Sequence, residues 1–179
     1  MIEQQSPRDA IRLLYERHSD DVYRYAKLTL NDSSEAYDVV QEVFLRAFRS
    51  WNQYRHDANA KTWLIRIARN YIFDSFRRKR IERDYLLNYN EPQTRDEAVF
   101  SQLKLEIEEA LSLLNINYQQ VIILRYIQGL SILETSQILG WSESKVRVTA
   151  HRAMTKLKEI YGSDSEEVKI KDGFRSKNP

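Results

Sequence analysis

The side chains best equipped for chemistry stand on the stretch that follows Ser142. Val146, Ala150, Ala153, Leu157 and Ile160 recur there at three- and four-residue spacing, which makes one stripe of a helix. At about 100° per residue, Ser144, Val148, His151 and Thr155 point directly away from that stripe, flanked by Lys145, Arg147 and Arg152. Cations, hydroxyls and an imidazole opposite a core face suit a helix that reads base edges in a DNA major groove. A second set lies on Thr62 to Arg80, TWLIRIARNYIFDSFRRKR. Leu64, Ile67, Ala68, Tyr71, Ile72 and Ser75 form its inward stripe, and Arg66, Arg69, Asn70, Phe73, Arg77 and Arg80 fall opposite. Basic groups interleaved with an aromatic and an amide fit phosphate contact with base stacking. Cations at a helix C-terminus also complement the helix dipole, but that accounts only for Arg77 to Arg80.

Bond-making chemistry finds far less to work with. His18, His56 and His151 lie on separate elements, with none at metal-ligand spacing. Asp57 beside His56, or Asp74 among its cations, would be the candidates for a nuclease-like centre, yet the clustered carboxylates that two metal ions need are missing. Asp74 stands four residues before Arg78, the spacing of an intrahelical ion pair. The four glycines all fall at or after Gly129, so the first 128 residues hold no glycine-rich phosphate loop. The chain has no cysteine, hence no disulfide or thiolate metal site, and a reducing cytoplasm is compatible. No apolar run approaches the roughly 18 residues of a membrane span, and MIEQQSPRDAIRLL lacks the order of a signal peptide. The expectation is a cytoplasmic binding protein, not an enzyme, without metal or cofactor.

The elements that carry these faces are nearly all helical, in keeping with three prolines and few turn clusters. Ser6-Pro7-Arg8-Asp9 opens a helix to about Leu30, with Ile11, Leu14, Tyr15, Val22, Tyr25 and Ala26 inward. Asn31 to Glu35 breaks and recaps the chain. The next helix has the strongest periodicity: Ala36, Val39, Val40, Val43, Phe44, Ala47, Phe48 and Trp51. Its outer side is Asp38, Gln41, Glu42, Leu45, Arg46 and Arg49; a solvated charged face explains most of it, but Leu45 among those charges hints at a protein partner. After the polar loop 52–61 and the basic helix, residues 82–100 lose periodicity and read as a tether. LKLEIEEALSLL is an amphipathic helix, and Asn117-Tyr118-Gln119-Gln120 looks like a capping box opening VIILRYIQ. Ser131 caps the first helix of a helix-turn-helix that Gly140 closes; Ser142 caps the second, with Trp141 in the turn. Residues 163–179 form a polar tail.

Charge is distributed to match. Net charge is only +2, but residues 61–83 carry +6 and residues 131–160 carry +2, while 1–60 carry −2 and 84–130 carry −4. Two basic islands separated by an acidic stretch fit two DNA-contacting modules on a linker. The fold class expected is all-α: two small helical domains joined by a flexible linker, the second a helix-turn-helix domain.

Two blocks together carry a family likeness. DVVQEVFLRAFRSW (38–51) with TWLIRIARNYIFDSFRRKR (62–80) resembles region 2 of the extracytoplasmic-function group of bacterial sigma factors. VIILRYIQGLSILETSQILGWSESKVRVTAHRAMTKLK (121–158) resembles their region 4. The likeness covers about 8–81 and 103–161, and implies domains at 1–81 and 103–161 with a linker at 82–102 and a tail at 162–179. It further implies that Asp38, Gln41, Glu42, Leu45, Arg46 and Arg49 meet the β′ clamp of core RNA polymerase, with region 4 near the β flap. Tyr54, Arg55, Asp57, Trp63, Arg66 and Asn70 match the site that holds the −10 promoter element and a base turned out of the stack, with Arg69, Phe73 and Arg77 on the same face. Trp63 suits the core equally. Ser144, Lys145, Arg147, Val148, His151 and Arg152 would read the −35 element. An anti-sigma factor, often membrane-anchored, is the implied regulator. The chain departs from the family's pattern at His56, where glycine is usual, and at Asn59-Ala60-Lys61, which bears on the base preference of that loop. Ile116-Asn117 replaces Leu-Pro, and Gln120 replaces a common arginine. The competing reading is a stand-alone helix-turn-helix regulator, which would dimerise on duplex operators.

Overall fold

The computed structural model describes residues 6–54, 59–86 and 102–162, with side chains omitted at 82–86, 102–105 and 162. Arg55, His56, Asp57, the linker beyond Leu86 and the tail from 163 lie outside them. Among the described residues the chain is helical throughout. Helix α1, Pro7–Leu30, starts where Ser6 Oγ accepts from the Asp9 amide at 3.3 Å. It stops at Asn31, whose φ of 55° is left-handed and whose amide closes on Lys27 O. Asp32 then caps α2, Ser33–Arg49, and a single 3-10 turn, Trp51–Gln53, follows. Helix α3, Ala60–Leu86, begins earlier and runs further than expected: Asn59 Oδ1 takes the Lys61 amide, and the run past Arg80 contains no glycine or proline to stop it.

These three helices pack pairwise around Val22, Tyr25 and Ala26 of α1, Ala36, Val39, Val40, Val43, Phe44 and Ala47 of α2, and Leu64, Ala68 and Ile72 of α3. Two residues expected inward are not. Tyr15 is 49% and Phe48 50% exposed, because the apolar stripe on each helix is wider than the surface its neighbours cover. Tyr15 keeps an edge-on contact with Phe44 at 4.9 Å.

The second half contains α4, Gln102–Ser112, then α5, Ile116–Ile122, which runs directly into a π-type turn, Ile123–Ile127. The cap of α5 is Asn115, whose Oδ1 accepts from the Tyr118 amide at 3.0 Å, so a simple cap two residues earlier stands in place of the box expected at Asn117. Asn115 is extended (ψ 156°), as a cap must be, whereas Asn117 already lies inside the helix. Helix α6, Ile132–Leu139, carries the expected capping box between Ser131 and Glu134 and ends on Gly140. Ser142 Oγ accepts from the Lys145 amide at 3.2 Å and starts α7, Glu143–Gly162. Val146, Ala150 and Ala153 of α7 are buried, and Leu157 and Ile160 half-buried, as the stripe requires.

Gly140 has a φ of 66° with open space where a Cβ would stand, so its replacement is penalised by backbone conformation alone. Gly140→Ala is expected to lower unfolding stability by about 1–2 kcal/mol, read from the chemical-denaturation midpoint. An unchanged midpoint would mean the turn has another solution.

The two halves touch: α3 packs on α6, and α1 on the π-type turn. One consequence is visible in α3, where Thr62, Trp63, Leu64 and Ile65 are all buried in succession. Four consecutive buried residues require cover on every side of the helix start.

Candidate nucleic-acid interface

Three surfaces carry the candidate residues. On α2, Asp38, Gln41 and Arg49 are exposed, Glu42 and Arg46 half-buried. Leu45 is 51% exposed, and Phe48 stands beside it at i+3. Arg46 is fastened down: its Nε donates to Glu42 Oε1 at 2.7 Å while its guanidinium lies over the Tyr71 ring at 4.8 Å. The arrangement is an apolar pair framed by oriented charges, a fit for a protein partner rather than for a nucleic acid. Sequence periodicity assigned Phe48 to the core and so missed half of this apolar pair.

On α3, Arg66, Asn70 and Arg77 are exposed along one face. Arg69 and Phe73, expected fully outward, are half-buried: the guanidinium stacks over the ring at 4.6 Å, and Phe73 meets Phe76 edge-on at 5.7 Å. Arg69 Nε is buried without a hydrogen-bond partner. Asp74 pairs with Arg77 at 3.7 Å, not with Arg78. Between α2 and α3, Tyr54 stacks on Trp63 at 4.3 Å, and Trp51 lies 5.5 Å and 6.4 Å from those two rings. Trp63 is 8% exposed, so here it is a core residue and a wall of the aromatic cluster. Tyr54 and Trp51 are half-buried.

On α7, Ser144, Lys145, Arg147, Val148, His151 and Arg152 are all exposed, opposite the buried stripe. Lys145 Nζ sits 4.2 Å over the Trp141 ring, and Arg147 Nη2 pairs with Glu143 Oε2 at 3.1 Å. His151 and Arg152 have no ion pair among the described residues. The structure thus brings together all six α7 candidates. It separates them from the α3 set, which belongs to the other half.

What sequence reasoning did not find is the polar seam between the halves, built from Asp21, Tyr25, Thr29, Lys61, Thr62, Gln120, Gln128 and Glu134. Its only signal was amides at positions where a core stripe calls for apolar residues. Burial drives the Tyr25 hydroxyl pKa far above its ordinary value, against smaller opposing effects of Arg69, Thr29 and Gln120, so it stays a donor. Burial also pushes the Glu134 carboxyl up, but hydrogen bonds from Ser131, Thr62 and Asn59 outweigh it and leave the group below the usual range. Asp21 behaves likewise: burial is outweighed by Lys61 and His18. Among the described residues, no group of three or more potential ligands could hold a metal ion, and no helix is long and apolar enough to cross a membrane.

The family model "Sigma-70 region 2" matches residues 14–81, and "Sigma-70, region 4" matches residues 104–157. The ECF RNA polymerase sigma factor SigX of Bacillus subtilis is 34% identical over 161 residues, covering 84% of this chain and 83% of the relative. Among solved structures, CnrH in complex with the cytosolic domain of CnrY aligns at TM-score 0.68 and 26% identity, over 88% of this chain and 91% of that one. The sigma factor RpoE in complex with the anti-sigma factor NepR from Bartonella quintana shares the fold at TM-score 0.74 and 22% identity, over 86% and 98% of the two chains. Both regions are present, in order, at an identity and coverage that leave no other assignment: the chain belongs to the ECF RNA polymerase sigma factors.

Proposed function

We propose that this sigma factor divides promoter recognition among the three surfaces described above. The outer face of α2, through Leu45 and Phe48 with Asp38, Gln41, Glu42, Arg46 and Arg49, docks on the β′ clamp of core polymerase. The face of α3 bearing Arg66, Asn70 and Arg77, with the aromatic cluster at Tyr54 and the adjoining loop, holds the opened −10 strand. The outer face of α7 reads the −35 duplex, and the second half docks near the β flap. The observation that carries this reading is that α3 and α7 each bury one side and present cations on the other, in the two separate regions the family uses.

Sigma factors are transcription initiation factors without enzymatic activity, and we read this chain in that way. Opening then draws on binding energy to the exposed strand, set against the few kcal/mol that unstacking each base costs. The work is cytoplasmic, where polymerase and chromosome are. One structural neighbour is in complex with the anti-sigma factor NepR and another with the cytosolic domain of CnrY, which supports an anti-sigma partner here, membrane-anchored in our reading. Nothing favours a stand-alone duplex-binding regulator.

Run-off transcription tests the proposal. Core enzyme with this protein should initiate at a small promoter set, while the free protein binds the same DNA weakly. Equal template use with and without the protein would end the proposal.

A further inference from the structure

We propose that Trp141 is a positioning residue for promoter binding: its indole face fixes the Lys145 ammonium at the start of α7, in place to meet −35 DNA. The inference rests on the reading of α7 given above and adds to it a residue outside the DNA-facing set.

The first turns of α6 and α7 start from the same chemistry and then diverge. Ser131 caps α6, and Glu134, three residues on, completes the box by accepting from the Ser131 amide at 2.8 Å. Ser142 caps α7 in the same way, its Oγ accepting from the Lys145 amide at 3.2 Å. Here, however, the residue three positions on is a lysine. That choice is locally unfavourable twice over. An ammonium cannot accept from the cap's amide, and it stands at the positive end of the helix dipole. A local rule broken in one helix and kept in its neighbour marks a residue held for function.

What holds Lys145 is the ring just before the cap. Its Nζ lies 4.2 Å from the centroid of the Trp141 ring, over the face, where the negative pole of the aromatic quadrupole draws a cation. The carboxylate on the same turn, Glu143, is engaged by Arg147 at 3.1 Å. The platform is set by the fold beneath it. The Trp141 amide donates to Ser136 O at 3.1 Å, closing the end of α6 around Gly140. The half-buried ring packs on the core, while Lys145 itself is exposed.

The benefit falls on binding. Lysine is among the side chains that lose most rotamer freedom when they are fixed. One already held over a ring has lost part of that freedom before DNA arrives, so less is lost on contact. The ring contact does not have to break. It occupies one side of the ammonium, whose three N–H donors leave others for a phosphate or a base edge. Unlike the carboxylate that holds Arg147, the ring leaves the cation's charge unneutralised. An aliphatic residue at position 141 would fill the turn but offer a cation no face.

A double-mutant cycle tests this, with the full chain reconstituted on core polymerase and titrated onto labelled promoter DNA. Trp141→Leu should weaken DNA binding about two- to fivefold, the range of an exposed cation–π contact. Lys145→Gln removes the charge and restores a residue type that suits the capping box; it should weaken binding by at least the same factor. In the Lys145→Gln background, Trp141→Leu should have no further effect. Trp141→Phe, which keeps a ring, should fall between the unmutated chain and Trp141→Leu. A role confined to packing the turn predicts equal losses from Trp141→Leu in both Lys145 backgrounds, and that result overturns the proposal. Unchanged or tighter binding by Trp141→Leu overturns it as well. Should Trp141→Leu lose helicity, Trp141→Met fills the space with a flexible side chain and no ring face, and the same cycle is read from it. Failure of the −35 reading is separable: Lys145→Gln and Arg152→Ala would then both leave binding unchanged. An unchanged affinity in Lys145→Gln alone would overturn the proposal and leave that reading standing.

Discussion

Leu45→Asp is expected to abolish binding to core polymerase while leaving helix content unchanged. Leu45 is 51% exposed on the outer face of α2, with Phe48 50% exposed one turn on, so about half of each side chain is open to a partner. A leucine buried in a complex contributes about 1.5–3 kcal/mol. Replacing it with aspartate forfeits that and leaves an unpaired carboxylate in a desolvated contact, a further cost of several kcal/mol. Together these amount to a loss of at least a hundredfold in affinity. The fold should tolerate the change: position 45 is solvent-facing, and Glu42 and Arg46 beside it already engage each other at 2.7 Å. Titration against labelled core enzyme checks the affinity, and circular dichroism checks the fold. Retained binding would move the polymerase contact elsewhere, and lost helicity would mean position 45 supports the core.

The contrast between Leu45 and Phe48 also marks how far sequence alone could go. Periodicity placed every fully buried residue of α2 correctly and found Leu45 outside. It failed at Phe48 and Tyr15 because hydrophobicity at the margin of a wide stripe does not reveal how far the neighbouring helix extends. Capping chemistry located the turn of the helix-turn-helix at Ser131, Gly140 and Ser142, where short-range bonds decide the backbone. It slipped at Asn117, since Asn115 offers the same chemistry two residues earlier. The seam was least legible. Thr62, Gln120 and Gln128 are buried and bonded between segments some 60 or more residues apart, and polar residues carry no periodic mark of such contacts. The α7 face was the most legible, because a regular buried stripe of Val146, Ala150 and Ala153 fixes which side of the helix is outward. All six candidates are exposed as the 100° arithmetic required.

That face yields the second large effect. Arg152→Ala should weaken use of the −35 element by about 1–3 kcal/mol, or roughly five- to 150-fold, if its guanidinium forks onto a base. Arg152 has no ion pair among the described residues, so its donors are available to DNA without first breaking a bond. Arg147 differs: it is held by Glu143 at 3.1 Å with more than half of its side chain exposed. An exposed pair of this kind is worth less than about 1 kcal/mol, so Arg147→Ala should cost slightly less than Arg152→Ala, and Glu143→Ala should narrow the difference. The two modes of contact are distinguishable. Loss of a base contact reduces discrimination among −35 sequences, whereas loss of a phosphate contact weakens all templates alike and lowers the salt-dependence slope by about one. Measured across salt concentrations on matched and altered −35 elements with the polymerase complex, Arg152→Ala should do the first. If it produces only the uniform loss, Arg152 positions the helix, and readout falls to Lys145, Arg147, Val148 and His151.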